Sequence, residues 1–275
     1  NTPQSWSAYR EFITQTLVDL LEIPRENVVF LDHHTCHGYY GYYASPLRNK
    51  PSLIFTMDAW GDGLNATVTR VVDNKTERLL SHGNCSLARM YRYITLLLGM
   101  MQNEHEYKVM GLAAYSHAKT TEKPYQVFKD TMYVDGLGFE YKEKPTDNYF
   151  YFQKKLEGCR FDGIAGGLQK YAEEIVTAWV KNVINEYKIG NIVFSGGVAQ
   201  NVKAMQRVYE LPEVENLFVC GSGGDESLAI GACYVAMYDY LQKQGKGIEM
   251  KPLNNMYLGT SFSQEYVDKF VSDNS

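Results

Sequence analysis

Paired cysteines, a bilayer-length apolar run and a surplus of basic charge are all missing from this sequence. Its five cysteines (Cys36, Cys85, Cys159, Cys220 and Cys233) are odd in number and scattered, with no CxxC pair. That excludes a disulfide framework and a cysteine-only zinc site, and a reducing, cytoplasmic setting is expected. Apolar runs such as Ile94 to Met101 fall far short of the roughly 18 to 20 residues a membrane helix needs. The opening residues lack a basic stretch followed by an apolar one, so no secretory signal is expected. The triplets Asn65-Ala-Thr67, Asn74-Lys-Thr76 and Asn84-Cys-Ser86 then match the glycosylation pattern only by chance. The first residue is Asn1 rather than Met, which points to a processed or excised chain. With 27 Lys and Arg against 32 Asp and Glu, the net charge is -5. Neither nucleic acid nor membrane is expected as a partner.

What remains is a chain of 275 residues, 45% hydrophobic and 21% charged, long enough to bury a large core. Periodicity predicts a helix over Tyr9 to Ile23, stopped by Pro24, then a strand over Val28 to Leu31. Asp32 suits an N-cap, so a helix is expected from His33 to about Ala44, ended by Ser45-Pro46. Leu53 to Met57 reads as a buried strand, Asp58 to Gly63 as a loop with a turn signal, and Asn65 to Val72 as the return strand of a hairpin. Helices are expected over Arg89 to Met101 and Glu104 to Tyr115, while residues 117 to 160 show no clear periodicity. After the glycines at 163 to 167 comes a long helix, Leu168 to Tyr187. A strand, glycine turn and helix then occur twice: Asn191 to Phe194 with Ser195-Gly-Gly197, and Leu217 to Cys220 with Gly221-Ser-Gly-Gly224. Such units build an α/β sheet whose strand ends face a ligand crevice.

His33 and His37 stand four apart and share one face of the expected helix, which is metal-ligand spacing. The helix N-terminus favours the neutral imidazole that a metal requires. No Glu follows His33, so the zinc-protease arrangement does not apply, and a further ligand must come from elsewhere. Two such histidines also suit a polar cleft without metal, and the spacing leaves both readings open. The Ser195-Gly-Gly197 turn lets a ligand approach the backbone, with helix amides beyond it for an anion and Asn201 in reach of a sugar or base. An ordinary strand-to-helix turn fits the same residues. Asp225 caps the last helix or points into the crevice, Asp58 ends a buried strand, and Lys108 stands among acids on a short helix.

In order along the chain, Leu31-Asp-His-His-Thr-Cys-His37 with Ala44-Ser-Pro46, the Asp58 loop, Ser86 to Gly99, Glu106-Tyr-Lys-Val-Met-Gly-Leu-Ala-Ala-Tyr115, Phe194-Ser-Gly-Gly-Val-Ala-Gln-Asn201 and Gly224-Asp-Glu-Ser-Leu-Ala-Ile-Gly-Ala232 resemble one family. It is the carbamoyltransferase family that includes the nodulation-factor, cephamycin and aminoglycoside O-carbamoyltransferases. The resemblance implies an actin-like, sugar-kinase-like (ribonuclease H-like) α/β fold, akin to the enzymes that make threonylcarbamoyl-adenosine in tRNA. It implies a divalent transition metal, Fe²⁺ before Zn²⁺, on His33, His37 and Asp225, with Mg²⁺ as a further ion. Gly196, Gly197, Asn201 and Gly224 would bind the nucleotide, ATP or carbamoyl-adenylate, and Asp58 and Lys108 would orient the reacting ligand as catalytic residues. The implied reaction moves a carbamoyl group from an adenylate, made from ATP and carbamoyl phosphate, to a hydroxyl of a sugar or natural product.

Where the family reads Asp-Gly-x-Gly-Glu, this chain has Asp58-Ala-Trp-Gly-Asp62. The family's opening hairpin with its first phosphate loop has no counterpart upstream of Tyr9. Residues 1–48 are therefore expected to be a remnant of the first lobe carrying the paired histidines. Residues 49–275 would form the second lobe, with the last helices packing back on the first. The adenylate-forming C-terminal domain is expected to be absent, leaving a fragment poorly equipped to turn over alone. The competing readings are an actin-like-fold kinase or phosphatase and a non-catalytic nucleotide-binding module.

Overall fold

The computed structural model describes residues 3–257 and 259–274. Its helices are α1 (Pro3–Leu21), α2 (His33–Tyr43), α3 (Leu87–Leu97), α4 (Glu106–Leu112), α5 (Ala118–Thr131), α6 (Asn148–Lys155), α7 (Phe161–Tyr187), α8 (Val202–Tyr209), α9 (Leu228–Lys243) and α10 (Gln264–Asp273). The strands are β1 (Ser52–Gly61), β2 (Leu64–Val72), β3 (Lys75–His82), β4 (Met132–Asp135), β5 (Gly138–Tyr141), β6 (Asn191–Ser195) and β7 (Asn216–Val219). Five of them form one mixed sheet in the order β3-β2-β1-β6-β7. β1, β2 and β3 run as an antiparallel meander, whereas β6 lies parallel to β1 and β7 parallel to β6. This is the α/β class expected, with a mixed sheet.

β1 is buried on both faces, which explains its unbroken apolar run. Leu53, Phe55 and Met57 point into one core with Phe194 and Trp179 of α7. Ile54 and Val193 point into a second core with Cys36, Tyr39 and Tyr43 of α2 and Val235 of α9. Each large apolar side chain so enclosed stabilises the fold by roughly 1.5–3 kcal/mol over an exposed one. The layers sit close because glycines permit it: a Cβ at Gly231 of α9 would lie 2.1 Å from the Cys36 carbonyl oxygen, and one at Gly41 would lie 2.8 Å from Val193.

Several expectations need correction. Val28 to Leu31 is not a strand; after a 3₁₀ turn at Arg25–Asn27 the segment pairs with no strand among the described residues, and Val29 and Phe30 are exposed. β3 was hidden because Lys75-Thr-Glu-Arg-Leu-Leu-Ser-His82 is an edge strand with little apolar content. β1 continues through the expected loop to Gly61, with an irregular register between Met57 and Gly61, and only Asp62 and Gly63, both at positive φ, make the turn. The glycines at 163 to 167 lie inside α7, which begins at Phe161. Added Cβ atoms at Gly163 and Gly167 would sit 2.3 Å from the Thr120 carbonyl oxygen and 2.6 Å from the Tyr125 nitrogen of α5. They mark a close helix crossing where the sequence suggests a breaker. Residues 117 to 160 prove ordered, as α5, the β4-β5 hairpin and α6.

Candidate metal centre and adjoining cavity

The site lies where the carboxyl ends of the parallel strands meet the start of α2. Asp32 caps that helix as expected: its Oδ1 accepts from the Thr35 backbone N–H at 2.7 Å, the Thr35 hydroxyl at 2.6 Å and Arg78 Nη2 at 2.8 Å. Although burial pushes the Asp32 carboxyl up, these bonds outweigh it and hold it below its usual range. The His33 backbone N–H donates to Asp62 Oδ2 at 2.8 Å, fastening the β1-β2 turn to the helix start.

From this frame four side chains converge. His33 Nε2 and His37 Nε2 face each other at 3.1 Å, and Asp58 Oδ2 lies 3.3 and 3.1 Å from them. Asp225 Oδ1 lies 3.6 and 3.4 Å from the same nitrogens. One ligand atom from each residue falls within 4.8 Å of all the others. His37 is fully buried, while the Asp225 side chain is 69% exposed and forms the open rim. The Asp58 carboxylate is divided between two tasks, because Oδ1 accepts from the Ala59 backbone N–H at 2.6 Å and Oδ2 is left for the cluster.

Electrostatics match this arrangement. Burial pushes the His37 imidazole down, but hydrogen bonds to Asp225 and Asp58 outweigh it and raise its pKa. Burial likewise pushes Asp58 up, but the His33 and His37 contacts hold it far below the usual carboxylate range. His34 points away to Thr56 Oγ1 at 2.7 Å, and burial lowers its pKa to about 4. Two carboxylates around two imidazole nitrogens call for a cation, either a proton on a ring or a metal ion. Two nitrogens and two oxygens suit a divalent transition metal. Among the described residues the buried His37 Nδ1 has no hydrogen-bond partner, so the ring makes its contacts through Nε2, the nitrogen aimed at the cluster. The residues present therefore fit such an ion.

A cavity of about 640 Å³ adjoins the cluster. Asp58, Asp225, Gly197, Gly224 and Asn201 line it on the strand side, and Tyr91, Arg92, Asn103, Glu106 and Tyr107 from the α3-α4 region line the other side. Gly196 has φ +89°, and a Cβ there would lie 2.4 Å from the Met57 carbonyl oxygen, so the turn brings β6 against the end of β1 as only glycine allows. A Cβ at Gly61 would lie 2.1 Å from the His33 ring.

The structure thus brings together His33, His37, Asp58 and Asp225, with the glycine turn beside them. It does not bring Lys108, which is exposed on α4 with its Nζ 5.7 Å from the Tyr107 ring and is not among the cavity-lining residues. Asn201 caps α8 through the Ala204 N–H and exchanges hydrogen bonds with Tyr91 and Gln169, which occupies its amide with protein partners. Asp58 was expected to orient a ligand, yet its Oδ2 stands in the metal-type cluster. No local sequence signal marked it, because β1 runs on past Asp58 to Gly61 and the histidines it meets stand 25 and 21 positions away in the chain. No periodicity marked the α3-α4 wall as part of a site.

A family model described as carbamoyltransferase N-terminus matches residues 6–234. The uncharacterized protein MJ1051 of Methanocaldococcus jannaschii is 30% identical over 259 residues, covering 89% of this chain and 46% of that protein. MJ1058 of the same organism is 27% identical over 271 residues, covering 91% and 44%, and sll1178 of Synechocystis is 26% identical over 261 residues, covering 89% and 42%. The chain spans under half the length of these relatives. Among solved structures, the activator of the 2-hydroxyisocaproyl-CoA dehydratase from Clostridium difficile with bound ADPNP has a TM-score of 0.47 at 14% identity, covering 88% of this chain and 85% of that one. Component A of the Acidaminococcus fermentans (R)-2-hydroxyglutaryl-CoA dehydratase has a TM-score of 0.46 at 16% identity, covering 76% and 69%.

Proposed function

This chain belongs to the carbamoyltransferase family, matching its N-terminal model over residues 6–234, and on that premise we propose that it binds carbamoyl-adenylate for transfer of the carbamoyl group to a hydroxyl of a sugar or natural product. The observation that supports this most is the convergence of His33, His37, Asp58 and Asp225 at the edge of a cavity bounded by a glycine turn. In this reading the four side chains hold a divalent metal, iron or zinc. When bound, the metal supplies positive charge for the phosphate or the carbamoyl oxygen of the ligand.

The chain's own residues do the rest. Gly197 and Gly224 keep the strand side of the cavity free of side chains, so the adenylate's phosphate can approach the backbone, while Gly196 lets the turn close against β1. Asn201, tied to Tyr91 and Gln169, fixes the start of α8 behind that turn. Asp58 holds its cluster-facing oxygen steady because its other oxygen is bonded to the Ala59 N–H. In the transfer, the acceptor hydroxyl oxygen bonds to the carbamoyl carbon, the bond from that carbon to the phosphate oxygen breaks, and AMP leaves. The hydroxyl proton passes to water or to a carboxylate at the rim, where Asp225 is the most exposed of the four ligands.

Calorimetric titration with ADP, with and without Fe²⁺ or Zn²⁺, tests the reading. ADP affinity is expected to rise with metal and to lose that gain in His33→Ala. Affinity indifferent to both metal and His33 would overturn it in favour of a plain nucleotide-binding module.

A further inference from the structure

Of the side chains lining the 640 Å³ cavity, four are acids (Asp58, Glu106, Asp225 and Glu226), and among the described residues Arg92 of α3 is the one cation. The acids are engaged. Asp58 and Asp225 belong to the four-ligand cluster, Glu106 Oε1 accepts from the Asn103 backbone N–H at 2.7 Å, and Glu226 accepts from the Ser222 hydroxyl. Arg92 meets no carboxylate among the described residues: its one hydrogen bond is a long one from Nε to Gln102 Oε1 at 3.4 Å, and its guanidinium carbon lies 5.8 Å from the centre of the Tyr93 ring. The other polar side chains of this wall are Tyr91, whose hydroxyl is spent on Gln169 and Asn201, Glu106, Asn103 and Tyr107, none of them a cation.

Arg25, Arg70, Arg78, Arg160 and Arg207 each meet a carboxylate of this chain; Arg10, Arg48 and Arg89 form no ion pair among the described residues either, but they do not line the cavity. A half-buried guanidinium whose terminal nitrogens find no protein acceptor, facing a ligand-sized cavity, is suited to a planar oxyanion held by two parallel hydrogen bonds. We infer that Arg92 is a ligand-binding residue that selects for a carboxylate or phosphate on the molecule occupying the α3-α4 side of the cavity. The inference rests on the reading of this cavity as the ligand site. It deepens that reading by adding an anionic group to the ligand on the wall formed by α3 and α4. The anion has two sources, the nucleotide or an acidic acceptor, and the same chemistry serves both.

Two matched pairs of probes separate them: ADP with adenosine, and glucuronate with glucose, each titrated into zinc-loaded wild type, Arg92→Gln and Arg92→Lys. Arg92→Gln is expected to weaken the charged member of one pair by about tenfold or more while leaving its neutral partner unchanged, as loss of a charge-assisted hydrogen bond requires. The pair that responds names the source of the anion. Arg92→Lys, which keeps the charge without the fork, falls between. Equal effects on charged and neutral probes in both pairs, no effect in either, or no binding of any probe to wild type would overturn the inference. Zinc content of the same samples reports separately on the four-ligand site. Zinc held by wild type with no charge preference at Arg92 sinks this inference alone, whereas wild type unable to hold zinc sinks the proposed function.

Discussion

At His37, burial and charge pull in opposite directions, and the outcome sets how the site responds to pH. Its imidazole titrates above the usual value because Asp225 and Asp58 stabilise the cation more than burial disfavours it. A metal must displace that proton, so metal affinity is predicted to fall as pH drops through the raised His37 pKa, by about tenfold per pH unit for one proton, and to level off above it. The metal-free chain has the opposite sign: protonated His37 between two carboxylates contributes stability that is complete below about 6.5 and is lost as pH rises through the raised value. Zinc titrations and melting curves across this range check both slopes, and a pH-independent zinc affinity would contradict the proton competition. The histidine pair was legible from spacing alone, since i and i+4 on a helix share a face. The part played by Asp58 was not. Its place in the cluster joins it to histidines 25 and 21 positions away and to Asp225, a long-range property that no local window carries.

Elements matter here through how closely they approach. α2 carries both histidines, and α9 follows directly after the turn that carries Asp225, so the distance between these helices sets the spacing of the ligands. Gly231 controls it, because any side chain there meets the Cys36 carbonyl oxygen. Gly231→Ala is predicted to part the helices, to cost about 1–3 kcal/mol of stability by overpacking, and to weaken zinc binding alongside. Thermal melting and zinc titration on the same protein measure the two effects, and wild-type values in both would show that the approach is not needed. The sequence alone leaves the role of Gly231 open, because it does not show what the helix meets. The glycines of α7 show the limit of such reading: the same residue type that breaks an isolated helix is used inside this one to admit α5. Only a partner helix distinguishes the two uses. β3 was missed for a related reason, since an edge strand with a polar face lacks the apolar alternation by which strands are recognised.

For the molecule as a whole, the parallel pairing of β1, β6 and β7 decides where chemistry can occur. The ends of their parallel pairing lie together, so Asp58 just beyond the paired stretch of the first, the glycine turn after the second and Asp225 after the third arrive at one edge without any proximity in sequence. Strand-turn-helix repetition made the α/β class and that edge readable beforehand. The opposing wall from α3 and α4 was not, because its place depends on how those helices pack across the cavity. Whether this edge holds a metal is decided by elemental analysis of anaerobically purified protein, comparing wild type with the His33→Ala/His37→Ala variant. Near-stoichiometric iron or zinc in wild type, lost in the variant, is the predicted result. Wild type without bound metal even after incubation with Fe²⁺ or Zn²⁺, or a variant that retains it, would contradict the account.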